Sequence, residues 1–390
     1  MSGTEQPQAP IPREGIQLGR VGGIPIILAY SWFIIAGFIV LMFGPQVAGE
    51  IDGLGWAAYL VAFSYALLLL FSVLVHELAH ALSARVYHWP TAKIVLNLWG
   101  GHTQFENFSA SPGKSLVVAM AGPAANFLLA AAGLLVMPVM QGSEVAVLLT
   151  DIFIWANFLV AVFNVLPGLP LDGGRIVESA VWKVTGSQEK GTVAAGWAGR
   201  VIAALMVAAV ILIPISLGGT PGFQLVLITV LVAGFLWLGA SGAITNARMR
   251  LRLPEISAGR LAVPAVGLAS SSSAATVRST LGTQEAGSAA VVLVGASGRP
   301  EAVVDTGALA SVPETMAAST PASAVARALV PGAYVPAWAE GQELVQYLAQ
   351  LAGSEYAVID RTGRVTGLLH QATVVAAITG KQQRGFDAGS

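Results

Sequence analysis

The sequence predicts a polytopic α-helical membrane protein of about six transmembrane helices, followed by a C-terminal soluble α/β domain of two related halves. Three observations carry this. Apolar residues make up 55% of the 390 residues and charged ones only 11%, far below the roughly 25% usual in soluble domains. Long uncharged runs recur up to residue 243, each able to supply the roughly 20 apolar residues that cross a bilayer as helix. Near residue 245 the character changes to short strands and amphipathic stretches, which divides the chain in two.

Residues 1–20 are polar, with Pro7, Pro10 and Pro12, and read as a disordered cytoplasmic tail. The apolar run 24–43 is too long for a signal-peptide core and lacks a small-residue cleavage site, so it is expected to be a retained span. A second span covers 56–86. Residues 87–114 form a polar connection, with a strand at 94–98 and a turn at Gly100-Gly101 leading to another strand. His88 and His102 lie there without a partner at ligand spacing and read as solvated loop histidines. The third span, 116–139, contains AGPAANF, in which Gly122 and Pro123 suggest close packing and a local break. Asn126 either hydrogen-bonds across helices or touches a substrate. The fourth span, 145–165, includes Asp151 and Asn157; Asp151 falls toward the far end and suits packing or an interface. Then comes NVLPGLPLDGGR at 164–175. Pro167 and Pro170 stop the helix, and Gly173-Gly174 allows a sharp turn after Asp172. Spans five and six cover 193–215 and 222–244, with Arg200 placed to snorkel to the interface.

The second span carries the chemistry. His76 and His80 are four apart, so a helix puts both imidazoles on one face, and Glu77 lies on the flank. This is the HExxH arrangement of zinc peptidases, two ligands with a carboxylate able to reach a water. The chain has no cysteine, so any further ligand is histidine, carboxylate or water. Irregular backbone at membrane depth survives only where protein buries it or it lines a wet cavity, and there Asp172 is expected to be the third ligand.

Charge supports the topology. With the N-terminus in the cytoplasm, the cytoplasmic segments hold Arg13, Arg20, Arg85, Lys93, Lys114, Arg175, Lys183, Lys190, Arg248, Arg250 and Arg252. The external loops near 45–55, 141–145 and 216–221 hold no Lys or Arg. Both termini, the HExxH end of span two and the Asp172 end of span four then face the cytoplasm. A net charge of −1 without a basic patch argues against a nucleic-acid partner.

Residues 248–260 read as a linker, 261–380 as the α/β domain and 381–390 as a tail. Within the domain, a strand at 289–294, the turn GASGRP and a strand at 302–304 are echoed by 356–359, DRTGR and 365–369. This duplication suggests a pseudo-symmetric module.

With HELAH at 76–80, AGPAAN at 121–126 and NVLPGLPLDGG at 164–174, residues 20–245 resemble the site-2 protease family of intramembrane zinc metalloproteases. The duplicated tail looks like a tandem CBS pair, as in the CBS-bearing prokaryotic branch, and no PDZ-like insertion is visible. The resemblance implies one zinc per chain on His76, His80 and Asp172, Glu77 as general base, and Asn164 as a contact to substrate or oxyanion. It implies regulated intramembrane proteolysis in the cell membrane, with another protein's transmembrane helix as substrate, held extended by the edge of the strand at 94–98. A homodimer through the CBS-like pair is also implied. Where CBS modules that bind adenosine nucleotides carry Ser or Thr and then an acidic residue, the second repeat of this chain offers His370 and Thr373, and the first Val304 or Asp305 with Gly307 or Ala308, which argues against nucleotide binding. Two other readings are a catalytically silent relative and a metal transporter. Glu77 argues against both, and the scarcity of ionisable groups in the other spans against the second.

Overall fold

A computed structural model of the chain describes residues 15–98, 100–105, 110–283 and 290–380. Residues 1–14 of the tail expected over 1–20, Ala289 and the terminal segment 381–390 lie outside the described residues. The chain divides into two compact units, one up to residue 245 and one from residue 246.

The first unit opens on a hairpin, β1 (Gly15–Val21) and β2 (Ile24–Ala29). Gly22 and Gly23 turn it with φ of 58° and 88°, a region open to glycine at little cost. The expected tail therefore ends before residue 15, and the first span starts later than residue 24. Ile24, Ile26 and Leu28 are buried and alternate with less buried neighbours, a strand period hidden inside an apolar run. Helix α1 (Trp32–Glu50) follows, then α2 (Ala57–Val86), β3 (Thr91–Asn97) and β4 (Gly100–Phe105). The sheet order is β1-β2-β3-β4, with β2 and β3 parallel because the α1–α2 hairpin forms the crossover. Ile94 and Leu96 are fully buried and cluster with Ile26, Trp32, Ala36, Tyr65, Ala66 and Ala81, fixing the sheet on α1 and α2. The strand expected at 94–98 is thus an inner one, bonded on both sides. Among the described residues the free edge on that side is β4.

Helices α3 (Pro112–Val136), α4 (Glu144–Val165), α5 (Asp172–Thr185), α6 (Gln188–Ser216) and α7 (Phe223–Arg252) complete the unit. Among the described residues six helices, α1–α4, α6 and α7, are long and apolar enough to cross a membrane, as a multi-pass membrane protein requires. Asp172 opens α5 rather than a turn. Gly173 and Gly174 are needed for another reason: a Cβ there would lie 2.2 Å from the Leu166 oxygen and 2.3 Å from the Leu169 nitrogen, so the helix start rests directly on preceding backbone. Arg200 has partners on two spans. Its guanidinium lies between Trp197 and Trp237, 4.9 and 5.2 Å from the ring centroids, and donates to Ser241 Oγ at 2.9 and 3.2 Å. The two cation–π contacts contribute about 0.5–2 kcal/mol each and the charged hydrogen bond about 1.5–3 kcal/mol.

The second unit contains α8 (Ala258–Leu261), β5 (Val263–Ala269), α9 (Ala274–Thr283), β6 (Ala290–Val294), β7 (Pro300–Val304), α10 (Thr306–Ser311) and α11 (Glu314–Ala317). There follow β8 (Ala326–Ala328), β9 (Tyr334–Pro336), α12 (Gly341–Gln350), β10 (Glu355–Ile359), β11 (Val365–His370) and α13 (Gln371–Thr379). The end of the expected linker is structured: Ile256 and Ala258 are buried in the domain core with Tyr356, Val358 and Leu369. The seven strands run β8-β7-β6-β5-β11-β10-β9. Each half has a leading strand parallel to the first arm of a hairpin, β5 with β6 and β9 with β10. Each leading segment starts on the other half: Val263 and Pro264 pair with β11, and β8 pairs with β7. This reciprocal exchange is the two-fold duplication in structural form.

Candidate metal centre

His76 and His80 project from one face of α2 and are 6% and 8% exposed. Asp172 is carried to them by the first turn of α5. Its Oδ2 lies 3.0 Å from His76 Nε2 and 3.1 Å from His80 Nε2, and the two Nε2 atoms are 3.1 Å apart. The three form the one cluster among the described residues with ligand atoms close enough to share an ion.

The other ring nitrogens identify what faces the centre. His80 Nδ1 lies 2.7 Å from the Val118 carbonyl, and His76 Nδ1 lies 2.5 Å from Asn126 Oδ1. Both acceptors require N–H at Nδ1, so in the neutral rings both Nε2 atoms turn lone pairs toward the Asp172 carboxylate. Three acceptors packed this closely suit a cation. Zinc bonds of about 2.0–2.1 Å in tetrahedral array separate ligands by about 3.3 Å, within a few tenths of the distances found, so the residues fit zinc. Gly122 on α3 leaves the room: a Cβ there would lie 2.3 Å from His80 Nε2 and 2.6 Å from His76 Nε2.

Glu77 is buried beside the cluster and outside it. Its Oε2 accepts from the Thr103 hydroxyl at 2.7 Å, and Gly101 packs so tightly on it that a Cβ would lie 2.4 Å from its Cγ. Both partners are on β4, so the sheet edge positions the carboxylate. The Gly100-Gly101 pair was the sequence signal for this; nothing marked Thr103.

Asn126 follows the first of its two readings, a hydrogen bond across helices. It is fully buried, accepts from His76 and donates to Asn157 Oδ1 at 2.8 Å, so it lies behind the ring and touches no open space. Asn164 is half-buried near the end of α4 and donates to the Val160 carbonyl at 3.1 Å; no contact joins it to the cluster. His88 follows the end of α2 with φ of 60°, and His102 sits on β4 opposite Val95, beside Asn97 and Gln104. Asp151 lines a cavity of about 450 Å³ with Glu50 and Glu144, away from the cluster.

The sequence profile described as peptidase family M50 matches residues 64–151 and 141–209. The chain is 33% identical over 254 residues to a candidate zinc metalloprotease, sll0528, of Synechocystis sp., an alignment covering 64% of this chain and 65% of that protein. The chain thus spans somewhat under two thirds of that relative's length. A site-2 protease from Methanocaldococcus jannaschii is 26% identical, with a TM-score of 0.40 over 59% of this chain and 94% of that one. The CBS domain of a bacterial CNNM/CorC family Mg2+ transporter is 18% identical, with a TM-score of 0.26 over 40% of this chain and 94% of that one.

Proposed function

We propose that this chain, whose membrane domain carries the peptidase family M50 match, is an intramembrane zinc endopeptidase. It would hydrolyse a peptide bond within or near a transmembrane helix of another membrane protein. The observation that carries the reading is the convergence of two imidazole lone pairs and a carboxylate, with Glu77 beside them and not among them. A transporter site has no use for such a flanking base.

His76, His80 and Asp172 would hold one zinc per chain. Bound there, zinc supplies Lewis acidity that brings the pKa of a water toward about 7 and polarises a carbonyl. Glu77, oriented by Thr103, takes a proton from the attacking water as its oxygen bonds to the scissile carbon. The C–N bond then breaks, and Glu77 returns the proton to the leaving amine. Asn164 is the candidate donor to the developing oxyanion, since a rotamer change frees it from a single intrahelical bond. The substrate must unwind, because helical peptide groups are already bonded. A strand paired on the free edge of β4 would pass beside Gly101, Thr103 and Glu77. We place the centre and both termini on the cytoplasmic side, from the Lys and Arg distribution. The CBS-like pair would be a docking or dimerising platform.

Two substitutions test this. Asp172→Ala removes a ligand and should lose zinc and activity together. Glu77→Gln keeps shape and touches no ligand, so zinc should stay near one per chain while cleavage falls by about 10²–10⁴ or more. Metal content by mass spectrometry and cleavage of a membrane substrate in detergent are the readouts. A Glu77→Gln protein that cut at near-normal rate would end the peptidase mechanism.

A further inference from the structure

Behind His76 runs a chain of buried polar side chains with one direction. Asn126 Oδ1 lies 2.5 Å from His76 Nδ1, and Asn126 Nδ2 donates to Asn157 Oδ1 at 2.8 Å. Asn157 Nδ2 donates to the Phe153 carbonyl at 2.8 Å and to Ser72 Oγ at 3.0 Å, and Ser72 donates to the Leu68 carbonyl at 2.8 Å. Asn126 and Asn157 are fully buried and Ser72 is 1% exposed. The chain links α2, α3 and α4 and returns to α2 one turn before His76.

Its direction is dictated by its far end. The Phe153 carbonyl can only accept, and Ser72, whose proton goes to the Leu68 carbonyl, accepts too, so Asn157 must turn its NH₂ toward Phe153 and Ser72 and its oxygen toward Asn126. Asn126 must then offer its own NH₂ to Asn157 and its oxygen to His76. A flip of either amide would oppose two donors in an apolar interior, where an unmade bond costs about 1–3 kcal/mol. His80 reaches a backbone carbonyl directly; His76 reaches one only through Asn126 and Asn157.

We propose that Asn157, anchored by Phe153 and Ser72, is a positioning residue that sets the zinc affinity of His76 through Asn126. The inference rests on His76 being a ligand. Partners behind a ligating histidine fix its tautomer and ring, and losing them typically weakens binding about 10–100-fold. Asn157→Leu keeps bulk and loses every bond, so zinc affinity of the purified full chain, measured by chelator competition, should fall about tenfold. Asn157→Asp, held neutral by its apolar surroundings, keeps an acceptor for Asn126 and a donor for Phe153, and should stay within about threefold of the parent. Ile154→Ala, a cavity on the same helix, should lower the Tm and leave affinity alone. The cobalt-substituted protein should show a shifted visible spectrum in Asn157→Leu only.

Leu and Asp variants that lose affinity equally, or a Leu variant within twofold of the parent, would overturn the proposal. Should Asn157→Leu not fold, Ser72→Ala takes its place; an affinity loss near threefold supports the relay and no change overturns it. If the parent binds no zinc, the peptidase reading itself fails. If the parent binds zinc, Asp172→Ala loses it and Asn157→Leu does not, only the relay is wrong.

Discussion

Gly122→Ala is the smallest change that should dismantle the metal centre. The new methyl carbon would lie 2.3 Å from His80 Nε2 and 2.6 Å from His76 Nε2, where ordinary contact begins at 3.4 Å. About 1 Å of movement is therefore required of two rings or of α3. The rings cannot give it cheaply, since His80 is tied to Val118 and His76 to Asn126, and Val118 and Asn126 are themselves on α3. A shift that frees the methyl drags the ring anchors with it. Metal ligands tolerate displacements of only about 0.2 Å, so the expected loss of zinc affinity is at least about 100-fold, at the upper end of what ligand-orienting changes cause. Gly133→Ala is the matched control on the same helix. There a Cβ would lie 2.6 Å from Ile154 Cγ1, the side chain of an apolar residue, and should cost stability without touching zinc. The assay is chelator competition on both purified proteins, with Tm measured alongside. A Gly122→Ala protein with zinc affinity within threefold of the parent would refute the claim that Gly122 makes room for the cluster.

Two further outcomes follow from the charge and fold readings. Topology reporters fused after Arg252 and within 45–55 should report opposite sides of the membrane, the first cytoplasmic; a C-terminal fusion reporting the exterior would remove the six-span orientation. Calorimetry of the full chain in detergent should find no ATP or AMP binding tighter than the millimolar range. Asp305 is already bound to the Gly307 and Ala308 amides of its own helix start, and His370 faces Glu355, which also pairs with Arg327. Low-micromolar affinity would contradict that reading.

The residues legible in the sequence were those whose chemistry is local. His76, Glu77 and His80 declare themselves through a helical spacing, and Asp172 through prolines and glycines that interrupt an apolar stretch. The six spans follow from length and hydropathy alone. What escaped depended on partners distant in the chain. Hydropathy does not separate an apolar strand from the start of an apolar helix, so β2 was merged with α1. The pairing of β3 with β2, across two intervening helices, is one that no single segment reveals. Thr103 is one threonine in a strand until the sheet lays it against Glu77. Asn126 and Asn157 are ambiguous amides until the carbonyls of Phe153 and Leu68 orient them.

The distance along the chain between the ligands raises the question of what holds Asp172 in register. His76 and Asp172 are 96 positions apart, and α5 is neither a span nor bonded to α2 except through the cluster's own side chains. The answer lies in backbone contact. Leu169 donates to the Ala195 carbonyl of α6 at 3.1 Å, and a Cβ on Gly168 would lie 2.4 Å from the Gly199 Cα. Gly191 sits equally close to the Glu178 carbonyl of α5, and Gly239 of α7 lies against Pro170. Side chains can swing between rotamers, whereas backbones meeting at glycine have one separation, so this packing transmits the position of α6 to Asp172 with little slack. Arg200 then fixes α6 to α7 through Trp237 and Ser241. On this argument the fifth and sixth spans belong to the metal centre although neither supplies a ligand. They make a proline-rich connection into a rigid carboxylate mount, and a Gly199 or Gly168 side chain should displace Asp172 from His76 and His80.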